Sequence, residues 1–204
     1  MPSRGGPPRP LPTRVALFID GQNLYHRCRD HFQWGWIHPR RLGEALVDED
    51  RARYGRGSHV LTCVRYYTGI HDLARQPAMH RTMTRRLQAY AGAGITTIPI
   101  PLRYDSKGNG REKGVDVRLS IDMVRLARKG LFDIAIIASE DSDLDETVKD
   151  LYDLRDSERW IAVENALPLS QAPNARNPRW LSSARRRRPI TPAMFNATKD
   201  GRVY

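Results

Sequence analysis

The sequence predicts an α/β fold in which a doubly wound, mostly parallel sheet is flanked by helices. A continuous apolar run over 15–19 and a strongly apolar segment over 132–138, which contains one acid, are typical of strands that are buried on both faces. Strand-like and helix-like segments alternate along the chain, which is the pattern of βαβ units. The 204 residues are enough for one domain with its own core, or for one domain with tails.

The N-terminal half contains strand and helix signals in turn. Residues 1–13 are rich in proline and glycine and predict a disordered tail that lacks the apolar segment of a signal peptide. The elements expected next are a strand over 15–19, helices over 23–32 and 39–54, a strand over 60–67 and a helix over 77–91.

The C-terminal half continues this alternation. The prolines at 99 and 101 favour an edge position for the extended segment 95–104. A polar loop over 105–114 follows, and then a helix over 115–129, a strand over 132–138, a helix over 143–155 and a short strand over 160–163. The pattern fades after Asn165. We therefore expect a domain over 14–164 and a basic extension over 165–204.

Positive charge is concentrated at the two ends of the chain. The net charge is +11, from 34 Lys and Arg against 23 Asp and Glu. Residues 1–14 contain three arginines and no acid, and residues 179–204 contain seven basic residues and one acid. The densest part is the run Arg185, Arg186, Arg187 and Arg188. Such a run favours contact with a nucleic-acid backbone, although a solvated tail has the same composition.

The cysteine content and the hydropathy indicate the compartment. Cys28 and Cys63 are the only cysteines, too few for a four-thiolate zinc site or a disulfide framework. No apolar run approaches the roughly 18 residues that a membrane span needs. We therefore expect a cytoplasmic protein without a membrane partner.

Acidic residues follow both of the buried strands. Asp20 ends the first apolar run, and Asp141 and Asp143 follow the second. Ligands of open parallel sheets bind at this carboxyl edge, so neighbouring strands would bring these carboxylates together. Clustered carboxylates repel one another unless a cation neutralises them, and oxygen ligands without His or Cys suit Mg²⁺ or Mn²⁺. Each acid alone could instead cap a helix or stabilise a turn.

The helix over 115–129 provides a further acid. Asp116 lies in the middle of its apolar face, where a lone carboxylate is costly to bury. In the first turn it can point toward the sheet edge, where a metal or an arginine would satisfy it. Helix capping or an ion pair with Lys113 is the alternative. Asp122 lies at the margin of the apolar face and is expected to be solvated.

The polar loop before this helix is basic. It carries Arg103, Lys107, Arg111 and Lys113 and leads directly to Asp116. We interpret it as a contact for an RNA backbone, and an ordinary solvated loop is the alternative.

The segments LFIDGQNLYH and EKGVDVRLSIDMVRLARKGLFDIAIIASEDSDL resemble the NYN domains, a branch of the PIN-like nuclease superfamily, in the group that contains the LabA-like proteins. The resemblance runs from about Arg14 to Val163. It implies a PIN-like fold with a divalent-metal ribonuclease site. By motif position the metal-facing acids would be Asp20, Asp116, Asp141 and Asp143. Asn23 would be an accessory polar residue, and Ser139 would support the site.

Two positions depart from the family pattern. Glu140 stands where glycine is common, and Leu144 stands where an aromatic residue is common. Glu140 either adds a negative charge beside the site or points away from it. The departure leaves the fold assignment unchanged and bears on the rate and the metal preference.

The sequence thus predicts a ribonuclease that uses Mg²⁺ or Mn²⁺ and hydrolyses RNA phosphodiesters. The expected catalytic residues are Asp20, Asn23, Asp116, Asp141 and Asp143. The expected substrate contacts are Ser139, Lys113, Arg111, Lys107, Arg103, Arg185, Arg186, Arg187 and Arg188. The oligomeric state is left open, with a homodimer among the alternatives.

Three rival functions are considered. A non-catalytic RNA-binding or scaffold protein on the same fold is the main one. A phosphatase of haloacid-dehalogenase type needs a second aspartate two residues after Asp20, where Gln22 stands. The topoisomerase–primase type shares the pattern of Asp141 and Asp143 but needs glutamate at the first strand end.

Overall fold

The first strand, β1, spans Thr13–Asp20 and has buried residues on both faces, as its uninterrupted apolar sequence predicts. The computed structural model describes residues 8–157, 159–173 and 175–204. The elements after β1 are α1 (Gly21–Phe32), α2 (Pro39–Tyr54), β2 (His59–Ile70), α3 (Pro77–Gly92), β3 (Thr96–Pro101), β4 (Arg103–Tyr104), β5 (Gly110–Arg111), α4 (Val115–Arg128), β6 (Ile134–Ala138), α5 (Leu144–Ser157), β7 (Ala162–Pro168), β8 (Arg186–Ile190) and α6 (Pro192–Thr198).

Six of the strands form one sheet in the order β3-β2-β1-β6-β7-β8, and every pairing in it is parallel. The chain moves outward from β1 through β2 to β3 and then returns to β6 on the other side of β1. The point between β1 and β6 is therefore the topological switch point of a doubly wound sheet. This confirms the predicted fold class.

Helices cover both faces of the sheet, and the alternation of side chains along β1 explains why. Val15, Leu17 and Ile19 face one hydrophobic cluster, to which α1, α2, α3 and α6 contribute. Ala16 and Phe18 face the other cluster, which is completed by α4 and α5. Each face of the sheet thus has its own core, as two-sided burial requires.

The folded unit extends beyond the boundary expected at residue 164. β7 continues to Pro168, and the segment expected to be a basic extension forms β8 and α6. β8 pairs with β7 in parallel and is the sixth strand of the sheet. The helix α6 begins with Thr191, whose side chain accepts a hydrogen bond from the Met194 N–H.

The arginine run lies within this strand, and Arg188 is an interior residue. Its side chain is 1% exposed. Nη1 lies 3.0 Å from Oδ2 of Asp50 and 2.7 Å from Oε2 of Glu164, and Nη2 lies 3.0 Å from Oε2 of Glu49. The expectation that Arg188 contacts RNA is therefore replaced by a structural role, because three carboxylates hold its guanidinium inside the protein.

The other arginines of the run alternate around the strand. Arg186 lies 2.7 Å from Asp50, whereas Arg185 and Arg187 are exposed. The four residues therefore do not form one continuous basic surface. Because exposed and ion-paired arginines alternate along β8, its sequence lacks the apolar periodicity that predicts a strand.

The predicted N-terminal tail is described only in part, since residues 1–7 lie outside the described residues. Thr13 already belongs to β1. The guanidinium of Arg9 lies 5.4 Å from the ring centre of Tyr54 and 5.2 Å from that of Trp160. Arg9 thus attaches residues before β1 to the domain through cation–π contacts.

Asp122 is buried rather than solvated, which corrects the expectation from the helical periodicity. Its carboxylate lies 2.8 Å from Nη2 of Arg65 and 3.3 Å from Nε of Arg118, and it accepts a hydrogen bond from the Tyr67 hydroxyl. These partners hold the pKa of Asp122 below its usual range although burial opposes them.

The edge strand β3 carries Pro99 and Pro101, as its sequence predicts. Leu102 donates its N–H inward to the carbonyl of Ile70. Because neighbouring residues of a strand alternate in direction, the prolines stand where an N–H would point outward. Among the helices that the structure describes, none is both long and apolar enough to cross a membrane.

The Arg188 network yields a stability test. Arg188→Ala removes the cation shared by the buried carboxylates of Asp50 and Glu164 and leaves Arg186 as their remaining partner. We expect it to lower the free energy of unfolding by about 3 kcal/mol. The exposed neighbour provides the matched control, since Arg187→Ala removes the same charge from the same strand and is expected to change stability by less than about 0.5 kcal/mol. Urea unfolding measures both, and equal midpoints would contradict the interior role of Arg188.

Candidate metal centre

The acids predicted from the sequence lie where β1 and β6 end. Ile19 pairs with Ala138 in the parallel ladder, so Asp20 and the Ser139 that follow them leave the sheet at the same level. The segment after Ser139 leads into α5, and the segment after Asp20 leads into α1. Both strand ends therefore deliver their polar residues to the switch point.

Three of the four predicted metal-facing acids meet closely. One carboxylate oxygen from each of Asp116, Asp141 and Asp143 lies within 4.8 Å of the others. Asp116 comes from the first turn of α4, which starts after Gly114 at a φ of 84°. A left-handed backbone conformation at this position suits glycine, and it redirects the chain from the basic loop into α4. The donor set holds oxygen only, which fits Mg²⁺ or Mn²⁺ better than zinc.

Asp20 lies beside this group, outside the set that meets within 4.8 Å. Its Oδ1 accepts a hydrogen bond from the Asn23 N–H at 3.0 Å and so caps α1. Burial raises the pKa of Asp20 to about 6, and the charges of Asp141 and Asp116 add to this increase. The neutral form of this carboxyl group is thus favoured mainly by burial, and a bound cation would oppose that effect.

Hydrogen bonds between neighbouring segments fix the geometry of the acids. Oδ1 of Asn23 accepts a hydrogen bond from the Glu140 N–H at 3.2 Å, which joins the start of α1 to the loop after β6. Oγ of Ser139 accepts from the Asp141 N–H at 3.2 Å, and Oδ1 of Asp141 accepts from the Asp143 N–H at 3.1 Å. Ser139 is fully buried. It therefore supports Asp141 from inside the protein, and the placement of Ser139 among the substrate contacts is not met.

Glu140, which departs from the family pattern, is surrounded by arginines. Its carboxylate lies 2.7 Å from Nη2 of Arg176, 3.5 Å from Nε of Arg27 and 3.9 Å from Nη2 of Arg179. It also accepts a hydrogen bond from the Arg179 N–H. The side chain is buried, so these partners neutralise it. Glu140 thus anchors the segment around Arg179 beside the metal centre.

This anchoring builds one wall of a cleft next to the acids. A cavity of about 300 Å³ is lined by Asn23, Glu140, Asp141, Ser142, Arg179 and Trp180. Sequence reasoning missed Arg179 and Trp180, because they lie in the segment after Asn165 that lacks periodicity. Leu144, the second departure, is buried in the core that α4 and α5 share, where it fills the space with an aliphatic side chain.

A further acid near Asp20 was also missed. The carboxylate of Glu112 accepts a hydrogen bond from the Gly69 N–H and, with the amide nitrogen of Gln22 facing it, accepts from Gln22 at 2.8 and 3.1 Å. Burial raises the pKa of Glu112 to about 7, and the charge of Asp20 contributes. Its neighbours in the chain are basic, and no periodic signal distinguishes it from a solvated loop residue.

The basic loop before α4 forms a small hairpin. β4 and β5 pair antiparallel, with Arg103 opposite Arg111. Both arginines are exposed, as are Lys107 and Lys113. The hairpin therefore presents its cations to solvent a few residues before Asp116.

The arginine run lies elsewhere. Arg185 and Arg186 line a cavity together with His59, Ile134 and Ala162, which belong to the first residues of their strands. This is the amino edge of the parallel sheet, whereas the acids lie at the carboxyl edge. The structure thus does not bring the run together with the metal centre.

Comparisons with known proteins agree with this architecture. Residues 14–165 match the family model described as NYN domain. No curated protein matches the chain in sequence. A crystal structure of a protein of unknown function from Vibrio parahaemolyticus has a similar fold, with a TM-score of 0.58 and 14% identity over 93% of this chain and 96% of that one.

The metal centre can be tested through thermal stability. Asp143 is exposed, and Asp143→Asn relieves repulsion within the cluster, so we expect this variant to melt above the wild type in EDTA. Mn²⁺ at about 100 times its Kd should stabilise the wild type by about 3 kcal/mol and stabilise Asp143→Asn much less. The control is Asp150→Asn, which removes an exposed acid from α5. Equal effects of Mn²⁺ on all three proteins would exclude the site.

The Glu140 anchor can be tested by hydrogen exchange. Glu140→Gln removes the charge that holds Arg176, Arg27 and Arg179, so amides around Arg179 should exchange faster by about tenfold. Glu146→Gln, on an exposed turn of α5, should leave them unchanged. Unaltered protection around Arg179 in Glu140→Gln would show that other contacts hold this segment.

Proposed function

Since the chain belongs to the NYN domain family, we propose that it is a ribonuclease that hydrolyses RNA phosphodiesters with a divalent metal held by its aspartates. NYN domains are a branch of the PIN-like nuclease superfamily, which supports phosphodiester hydrolysis as the reaction class. The observation that carries the proposal is the meeting of Asp116, Asp141 and Asp143 within 4.8 Å beside the buried Asp20. We place this activity in the cytoplasm.

The residues fit Mg²⁺ or Mn²⁺. Asp116, Asp141 and Asp143 would hold the ion with hard oxygen donors, and Asp20 would contribute a fourth carboxylate. A bound divalent ion lowers the pKa of a coordinated water and stabilises negative charge on phosphate oxygens.

The protein itself supplies the position of these groups. Asn23 and Ser139 hold the loop that carries Asp141, and the cap on α1 fixes Asp20. Because these hydrogen bonds are made within the protein, the carboxylates are set in place before a substrate arrives. Without a cation, the pKa of Asp20 is about 6, so this carboxyl group is half protonated near that pH.

Exposed cations would bind the substrate backbone. The hairpin residues Arg103, Lys107, Arg111 and Lys113 lead to Asp116 from one side, and Arg179 lies beside Asp141 on another. Contacts to phosphate carry no sequence information and weaken with salt. This arrangement supports RNA as the partner.

The proposal is tested by RNA cleavage with Mg²⁺, Mn²⁺ or EDTA. We expect cleavage that requires the metal, and a loss of at least about 100-fold in Asp141→Asn, since removing a metal ligand costs several kcal/mol of transition-state stabilisation. Asp150→Asn, with the same change of charge away from the cluster, should retain full activity.

Electrophoretic mobility shifts complete this test. Asp141→Asn should still bind RNA, which separates catalysis from binding. RNA binding by the wild type without cleavage under any metal would favour the non-catalytic alternative. An unchanged cleavage rate in Asp141→Asn would refute the site.

A further inference from the structure

A second cavity opens beside the metal centre, between α1 and α3. It has a volume of about 450 Å³, within the range of roughly 300 to 1,000 Å³ that small-molecule sites occupy. One wall is a single face of α3, formed by Ala78, Met79, Thr82, Met83 and Arg86. Gly21 and Gln22, which directly follow Asp20, belong to the opposite wall. We call this space the α1–α3 cavity.

The walls of the α1–α3 cavity offer aromatic faces. Tyr25, Trp36 and Tyr66 line it, and the ring centres of Tyr25 and Trp36 lie 4.4 Å apart. The ring of Tyr66 comes so close to Gly21 that a Cβ at this position would overlap it. Flat aromatic surfaces of this kind stack on nucleobases without regard to sequence.

A buried cation without a counter-ion points into the same space. Arg86 is 6% exposed and lines the cavity, with its guanidinium carbon 3.2 Å from the ring centre of Trp36. Its Nε has no hydrogen-bond partner, and within the described ranges no carboxylate lies at ion-pair distance from it. Among the described residues the charge of Arg86 thus faces aromatic rings and no carboxylate, and a hydrogen-bond acceptor placed in the cavity would pair with its guanidinium.

The cavity is continuous with the proposed substrate path. Glu112 and Gly110 of the basic hairpin belong to its lining, and the charge of Glu112 interacts with that of Asp20. Cations on the hairpin would therefore hold the backbone of an RNA while a base lies inside. A base carries ring nitrogens and carbonyl oxygens that accept hydrogen bonds from arginine.

We propose that the α1–α3 cavity receives one unpaired nucleobase from the nucleotide next to the cleaved phosphodiester. The placement of this nucleotide next to the cleaved bond rests on the proposed ribonuclease function. The base packs against the aromatic lining of the cavity and accepts a hydrogen bond from Arg86. A base inside the cavity cannot be paired, so the cavity selects single-stranded RNA.

The proposal is tested with a short oligouridine that carries one 2-aminopurine, whose fluorescence falls when it stacks on an aromatic ring. Binding is measured with Asp141→Asn, so that the RNA stays intact. We expect quenching on binding. The double variant Ala78→Leu/Thr82→Leu, introduced into the Asp141→Asn protein, narrows the cavity. It should raise the RNA concentration needed for half-maximal quenching by about tenfold.

A matched control places the same two leucines on the outer face of α3. Gln88 and Ala91 are exposed and do not line the cavity, so Gln88→Leu/Ala91→Leu should leave the quenching unchanged. Arg86→Met removes the donor and should weaken binding in the same direction. If Arg86→Met fails to fold, the two leucine variants decide the outcome.

Cleavage of RNA with one abasic nucleotide beside the mapped cleavage site provides the second measurement. The wild type should cleave it about tenfold more slowly than intact RNA, and Ala78→Leu/Thr82→Leu should cleave both at the same reduced rate. Equal cleavage of abasic and intact RNA by the wild type would overturn the base site and leave the nuclease intact. Quenching that depends on the cavity in a protein that cleaves nothing would refute the nuclease alone.

Discussion

Repulsion between carboxylates at the switch point is the constraint that the rest of this structure accommodates. Asp20, Asp116, Asp141 and Asp143 come from three separate segments, and each would move away from the others in a flexible chain. The two central strands prevent this because their ladder fixes both strand ends at one level. A second layer of hydrogen bonds, from Asn23 and Ser139, then removes the freedom of the loop that carries Asp141. The rigid strand ends and loop thus keep the carboxylates close together even when no ion neutralises them.

The fold and most of the acid cluster could be predicted because their signals are local. The runs that became β1 and β6 are apolar throughout, and such strands occupy the centre of a parallel sheet. Once both strands are central neighbours, the acids that follow them lie at the same edge of the sheet. Asp116 could be recognised because a carboxylate on an apolar helix face conflicts with its surroundings. That conflict indicated a role at the sheet edge, and the structure places Asp116 there beside Asp141 and Asp143.

The remaining features depend on contacts between distant residues, which no local pattern reveals. The arginine run was expected to contact a nucleic-acid backbone because the partners of Arg188, such as Asp50 and Glu164, lie far away in the sequence. Asp122 was expected at the surface because Arg65, which neutralises it, belongs to another element. The α1–α3 cavity is assembled from five segments whose aromatic residues show no regular spacing. A strand held by ion pairs, such as β8, and a cavity built from several segments therefore cannot be predicted from local sequence, whereas apolar strands can.

The outer edge of β3 has a consequence for self-association. Pro99 and Pro101 deny that edge two N–H donors, so a strand from a neighbouring molecule finds few groups with which to continue the ladder. Growth of the sheet from molecule to molecule, the route by which exposed edges lead to fibres, is obstructed on this side. A dimer of this protein would on this side be built from helical surfaces, and its formation would leave the sheet at its present width.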